Sequence, residues 1–587
     1  RQWSLKKLAD YGFDAATGVW AECPGYSSVV VGDYASFVSL FDENLGMDLT
    51  KEIPVLPKAV EAMPQYLFPN RMVCGFGDTH PSTLRTDIFR YMIQNARTHG
   101  KSEEEHKFTA MLKLFDPSSS LPVAERGKAP VAITSFFAGK PLVLDEKVKA
   151  GQIDDYVTPT FYAPNVSWLV QRNGMNPRHS LMVSLNGSEG NHMHANGISM
   201  ELYGKGYVLG PDAGIGKTLY QGLDYLEYYS QFPSHNTVCV DGISSYPVMK
   251  SNHSFKLRAL YPAAGERLPY QPISYSEVYF REPETFADQT RLNGIVNVGD
   301  SAGYYIDIFR SRKVEGGDKM HDYFYHNLGQ QMTLTAADGS ELGLQPTQEL
   351  AFAGAHLYAY SYIYNKKRAV TSKDVKAGFT IQMPDKDDIT MNLWMKGEEG
   401  REIFSALSPM TEGLSRIKNM PYSIKDQPTL TFVARQKGEA WNRPFVAVYE
   451  PSTVKEPSCI ASVDYPQVKS EQQGSHVGIR VALTNGNVDW ILSSDENAHH
   501  CKLEELQARA GYALCRQSEK GETIQAFLGN GTQLEADGVS IRTDAPADVL
   551  LLKQDGKWMY TATAPCRVVV GKKKYTLSVS KELRLLK

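Results

Sequence analysis

The pattern of apolar and polar positions divides the 587-residue chain into two unlike parts. Up to about Ser118, apolar residues recur at helical spacing, most clearly from Ile88 to Leu114. Loop-like runs interrupt them at Glu22-Cys-Pro-Gly-Tyr26 and Cys74-Gly-Phe-Gly-Asp-Thr-His-Pro81. A Pro-, Gly- and Lys-rich stretch follows, from Pro122 to Lys140. From about Ser180 the period shortens to two, as in Ile198-Ser-Met-Glu-Leu-Tyr-Gly204 and Tyr304-Tyr-Ile-Asp-Ile-Phe-Arg310. The same alternation returns at Thr429 to Ala434, Phe445 to Tyr449, Val477 to Leu483 and Cys566 to Val570. These patterns predict a helical part over 1–175, a large antiparallel β region over 176–494 and a smaller C-terminal β domain over 495–587. The second boundary is set in the polar run Ser494-Asp-Glu-Asn-Ala-His-His500. No repeat of solenoid or propeller period and no low-complexity tract is present.

With 42% apolar residues the chain has material for several cores, and a formal charge of −4 provides no global field for nucleic acid. A polyanionic partner must therefore be met by a local cluster of donors. No apolar run reaches the ~18 residues that a membrane-spanning helix needs. The chain opens at Arg1 without a Met, and the expectation is a trimmed product of an exported protein, periplasmic or secreted. Seven cysteines (Cys23, Cys74, Cys239, Cys459, Cys501, Cys515, Cys566) include no CxxC pair. They imply neither a disulfide framework nor a Cys-based zinc knuckle, and most are expected as small buried hydrophobes.

Candidate chemistry concentrates in Asn191-His-Met-His194, the run on to Asp212-Ala-Gly214, and Ser234-His-Asn-Thr-Val-Cys-Val-Asp-Gly242. On a strand, His192 and His194 would share a face. Asp212 follows His194 by 18 residues, at the end of the return strand of a hairpin, and His235 comes 23 residues later. Two imidazoles and a carboxylate suit tetrahedral Zn²⁺ with one position left over, although in a chain with 14 histidines most are structural or solvated. Arg310 and Arg312 lie two apart on a predicted strand, so they share a face. They present guanidinium forks to a carboxylate or sulfate, or else form a solvated edge.

The Asn191–Gly214 run and the His-Asn-Thr run resemble the signature of the heparinase II/III-like polysaccharide lyases. So does Tyr304 to Gly329, with Asp307, Arg310, Arg312 and His321-Asp-Tyr-Phe-Tyr-His326. The resemblance is specific over roughly Ser180 to Gly329. It implies an α/α toroid, a large antiparallel β-sandwich and a smaller C-terminal β domain. It also implies β-elimination on a uronate-containing glycan, whether glycosaminoglycan, alginate or ulvan. His194, Asp212 and His235 would hold one structural Zn²⁺, and His192 would lie in the catalytic cleft. Tyr220 falls where related alginate lyases carry a cleft tyrosine, as acid or base, although Tyr225, Tyr228 and Tyr229 mark this stretch equally as aromatic packing.

The elimination requires a neutralised carboxylate, a base for the C5 proton and an acid for the leaving oxygen, and Tyr or His serves in the last two roles. In the helical part the family pattern is altered. Tyr26-Ser27 stands where an Asn-His pair is expected, and His80 where a Tyr is expected. Either Tyr26 and His80 have exchanged roles, or the site is rebuilt, or it is lost. Glu22 and Asn191, beside these runs, join Arg310 and Arg312 as substrate-binding candidates.

Two other classes compete: a zinc-dependent glycan hydrolase, for which no HExxH motif is present, and a non-catalytic glycan-binding member of the fold. The expected partner is an acidic polysaccharide or oligosaccharide. The helical part is short for a whole toroid of this family, so a companion N-terminal fragment or a homo-oligomer is expected to complete it.

Overall fold

A computed structural model describes residues 4–120, 142–216, 223–244, 250–351, 358–385, 387–411, 420–425 and 427–587. The whole Pro122 to Lys140 stretch, and Tyr220, lie outside them. Five helices lead: α1 (Leu5–Gly12), α2 (Pro24–Leu45), α3 (Val55–Ala62), α4 (Asp87–Thr98) and α5 (Ser102–Phe115). The periodic run from Ile88 to Leu114 is thus two helices rather than one. They part at His99-Gly100, where Gly100 takes φ +65° and turns the chain. The run through Tyr26 is also not a loop to its end. Pro24 takes the first position of α2, where its missing N–H costs nothing, so Tyr26 sits in that helix's first turn.

Strands Thr160–Ala163, Trp168–Arg172, Met182–Asn186, Ser199–Gly204 and Tyr207–Gly210 pair antiparallel, in chain order, as a five-stranded sheet. Alternate residues go to opposite cores. Trp168, Val170, Met182 and Tyr203 pack with the helices against Phe68, Phe76 and Phe89. Leu169, Val183, Leu185, Met200 and Leu202 face the other way. The sheet is therefore buried on both faces.

The second face packs on a sandwich of an eight-stranded and a six-stranded antiparallel sheet. Strand Gly303–Lys313 lies near the middle of the larger sheet. It sends Tyr305 and Phe309 into the sandwich core and Tyr304, Ile306 and Ile308 outward against a further sheet. This last, twelve-stranded sheet folds over a small core of its own around Leu492, Ala513, Cys515 and Leu551.

Its first strand is Ile460–Asp464, and His476–Leu483 and Val488–Ser494 belong to it as well. The polar run Ser494–His500, read as a domain boundary, is the turn between Val488–Ser494 and His500–Leu503 inside one sheet. Turn residues inside a sheet and at a domain joint share one composition, and the strands on either side decide which it is. All seven cysteines are free and all but Cys459 are buried.

Candidate active site

The site lies where the helices meet the first sheet. Asn191 ends strand Ser188–Asn191, and its backbone pairs with the segment before α2: its N–H donates to the Ala21 carbonyl at 3.0 Å and its carbonyl accepts from the Cys23 N–H at 3.4 Å. After Asn191 the chain leaves the strand. His192 takes φ +56°, a left-handed conformation that imidazole-bearing residues tolerate better than β-branched ones. The expectation that His192 and His194 share one strand face is therefore corrected: the backbone turns between them and sends the two rings to different places.

His192 goes to the cleft. Its ring stacks on Tyr26, with centroids 3.6 Å apart and planes 5° from parallel. Its Nδ1 lies 3.6 Å from Glu22 Oε1, within ion-pair reach but beyond a hydrogen bond. The His192 side chain keeps 23% of its exposure and Glu22 13%, so both remain reachable. Tyr26, Glu22, Asn191 and His192 are thus brought together.

The Gly77–His80 loop closes over them. The Asp78 N–H donates to the His192 carbonyl at 2.9 Å, and Thr79 Oγ1 accepts from the Gly25 N–H at 3.0 Å. Only glycine fits at position 77, because it has φ +63° and a Cβ there would lie 2.5 Å from the His192 carbonyl oxygen. His80 ends this loop, partly exposed.

His194 goes inward. Its Nε2 meets Asp78 Oδ1 at 2.9 Å, and the same oxygen accepts from the Tyr225 hydroxyl at 2.8 Å. Burial and the adjacent Asp78 carboxylate push the Tyr225 phenol far above its usual range, so it stays protonated as a donor. Asp78 and Tyr225 were not singled out in the sequence. Asp78 stood within the quoted loop but next to the more conspicuous His80, and Tyr225 stood among tyrosines that read as packing.

Asp212 and His235 join at 3.0 Å through Oδ2 and Nδ1. Burial alone would raise the Asp212 carboxyl. His235 and His194, with the Gly214 N–H on Oδ1 at 3.0 Å, hold it below the ordinary range instead. Next to it Glu201 is pushed up to about 8 by burial and by the Asp212 charge. His194 and His235 are fully buried, their ring centroids are 5.6 Å apart, and each keeps one nitrogen without a hydrogen-bond partner, Nδ1 and Nε2 respectively. Orphaned imidazole nitrogens beside an ionised buried carboxylate fit a cation. The expected ligands are together, although their ligand atoms do not form the compact set that His476, Asp495 and His499 form elsewhere among the described residues.

Arg291 secures this region from behind. Its Nη1 donates to the carbonyls of Ile198 and Asn236, 2.7 and 2.6 Å away, while Nε and Nη2 form a buried bidentate pair with Asp307.

Arg310 and Arg312 do share a face, but it is not a cleft. Arg310 is fully buried against the last sheet, donating to Ser475 Oγ at 2.8 Å, the Ser475 carbonyl at 3.1 Å and Ser493 Oγ at 3.2 Å. The Arg312 guanidinium lies 4.1 Å over the Trp441 ring. Outward-facing alternation was legible in this strand; the second sheet that covers it was not.

On the other side of Pro81, a groove of about 840 Å³ is lined in part by Arg178, Lys205 and Asp387. Two of its cations are already matched, Arg178 to Asp387 at 2.6 Å and Lys205 to Glu456 at 2.9 Å, while Arg71, which also lines it, donates to the Leu114 carbonyl at 3.0 Å.

Comparison with known proteins bears on the same elements. Residues 16–120 match the family described as the second domain of endo-acting ulvan lyase. The endo-acting ulvan lyase of Formosa agariphila is 25% identical over 559 residues, which cover 90% of this chain and 65% of that protein. The chain thus spans just under two thirds of the length of this relative. Among solved structures, a heparinase III with methylated lysines aligns over 81% of this chain and 58% of its own, with a TM-score of 0.50 and 13% identity. Heparan sulfate lyase HepC from Pedobacter heparinus aligns over 82% and 59%, with a TM-score of 0.46 and 12% identity.

Proposed function

We infer that this chain, a relative of the heparinase-like polysaccharide lyases, cleaves an acidic uronate-containing polysaccharide by β-elimination, with ulvan attacked internally as the substrate. The observation that carries this reading is the Tyr26–His192 stack beside Glu22, at the junction of helices and sheet. β-Elimination needs one group that takes the C5 proton and one that gives a proton to the leaving glycosidic oxygen. A phenol and an imidazole held ring on ring supply both. Glu22 faces Nδ1, which leaves Nε2 of His192 as the nitrogen for proton transfer. His80, on the closing loop, and Asn191 are the neighbouring donors for the uronate carboxylate as it becomes enolate-like. Tyr26 and His80 have then exchanged the roles expected from the family pattern, rather than the site being lost.

His194, Asp212 and His235 are proposed to hold a structural Zn²⁺. Bound there, the ion would fix the segment from His192 to Asp212 without meeting the substrate, while Asp78 orients His194 through Nε2. Helices α1 to α5 are read as a portion of an α/α toroid, and the protein as exported, periplasmic or secreted.

The test is incubation with a panel of uronate polysaccharides that includes ulvan, following the ultraviolet absorbance of the C4–C5 double bond. The absorbance is expected to rise on ulvan and to be lost in His192→Ala. New reducing ends without absorbance would sink the lyase reading in favour of a hydrolase, and neither signal would leave glycan binding alone.

A further inference from the structure

A second set of metal-ligating side chains lies far along the chain, in the last sheet. His476 opens strand His476–Leu483, Asp495 directly follows Val488–Ser494, and His499 immediately precedes His500–Leu503. The pairing of His476 with Ser494 brings the three to one end of the sheet. One ligand atom of each lies within 4.8 Å of the others. The His476 and His499 ring centroids are 5.4 Å apart at 75°. From the roughly 2.0–2.1 Å bonds of Zn²⁺ to nitrogen and oxygen, tetrahedral ligand atoms stand roughly 3.3 Å apart, so small side-chain adjustments close the set.

Three further observations point to a ligand. The Nδ1 of His499 is buried and has no hydrogen-bond partner, a cost that a bound cation removes. Gly474 leaves space at the same spot: a Cβ on it would lie 2.8 Å from Asp495 Oδ1 and 3.0 Å from His499 Nδ1. Asp495 is oriented as a ligating carboxylate is, its Oδ1 accepting from the Ser475 N–H at 2.9 Å and its Oδ2 from Trp441 Nε1 at 2.7 Å. All three residues are only partly buried, so an ion can enter. Cys501 Sγ lies 3.4 Å from His476 Nδ1, next to the set.

We propose that His476, Asp495 and His499 bind a transition-metal dication, Zn²⁺ by ligand type, that braces the last sheet. Two imidazoles and one carboxylate select against Ca²⁺ and Mg²⁺, which take oxygen. The site stands apart from the cleft. Through Asp495 it reaches Trp441, on which Arg312 is stacked, so the ion reinforces the contact between the last sheet and the sandwich.

The test uses the full chain, stripped with a chelator and titrated with Zn²⁺ alone by calorimetry, beside His476→Gln/His499→Gln and His235→Gln. The double variant is expected to bind one equivalent fewer than wild type and to lose part of the zinc-dependent rise in melting temperature. Co²⁺ added in place of Zn²⁺ should lose one set of visible absorption bands in the same variant. Loss in His235→Gln reports on the other site, so the two are counted separately. Equal stoichiometry and equal cobalt spectra in wild type and a folded double variant would overturn the proposal. Should the double variant not fold, His499→Gln alone, in its partly exposed turn, is read by the same two signals.

Discussion

At the scale of single residues, the cleft separates two jobs that one side chain can do. The Tyr26 ring supports His192 from one face, and its hydroxyl is the group proposed to carry the proton. Tyr26→Phe keeps the stack and removes only the hydroxyl, so the elimination rate is expected to fall about 10²- to 10⁴-fold with the melting temperature unchanged. A variant with near wild-type absorbance change would remove Tyr26 from the chemistry. The two histidines of His-x-His show why part of the site was not legible in the sequence. Spacing of two implies a shared face only while the chain stays extended, and the left-handed turn at His192 ends the strand there. The gathering of His194, Asp212 and His235, in contrast, was legible through the family resemblance rather than through spacing alone, and the hairpin and the following short strand return these distant residues to one place.

At the scale of elements, alternation foretold the strands well, as Gly303–Lys313 shows, since a strand buried on both faces still sends successive residues to different cores. Helix ends were less legible. Pro24-Gly25 looks like a turn and is a helix start, because proline's fixed φ serves both. One polar bridge in the last sheet gives the protein a pH dependence. Asp548 accepts from the Asn530 N–H and the Tyr275 hydroxyl, both at 2.9 Å, and burial pushes its carboxyl up to about 6. A raised acid favours the folded state while protonated. The contribution of Asp548 to stability is therefore expected to fall as pH rises from about 4, near the unfolded value, to about 6, and then to level off. Asp548→Asn should lack that step in urea midpoints measured from pH 4 to 8, and an identical profile in both proteins would contradict the assignment.

At the scale of the whole molecule, the last sheet is held by a buried cation rather than by apolar contact alone. Arg310 makes three hydrogen bonds across to Ser475 and Ser493. Arg310→Ala leaves those groups unmatched and opens a void, and is expected to cost about 3 kcal/mol of stability with KM for the glycan unchanged. A raised KM at unchanged stability would return Arg310 to the substrate. The five-stranded sheet has a wider consequence. Its one layer is wall to the helices and to the sandwich at once, so the matched family segment ending at residue 120 stops short of the surface on which its own core closes, at Trp168 and Tyr203. The helical part is therefore no cassette. Exchanging it for another would require rewriting alternate residues of a sheet that lies beyond it in the chain.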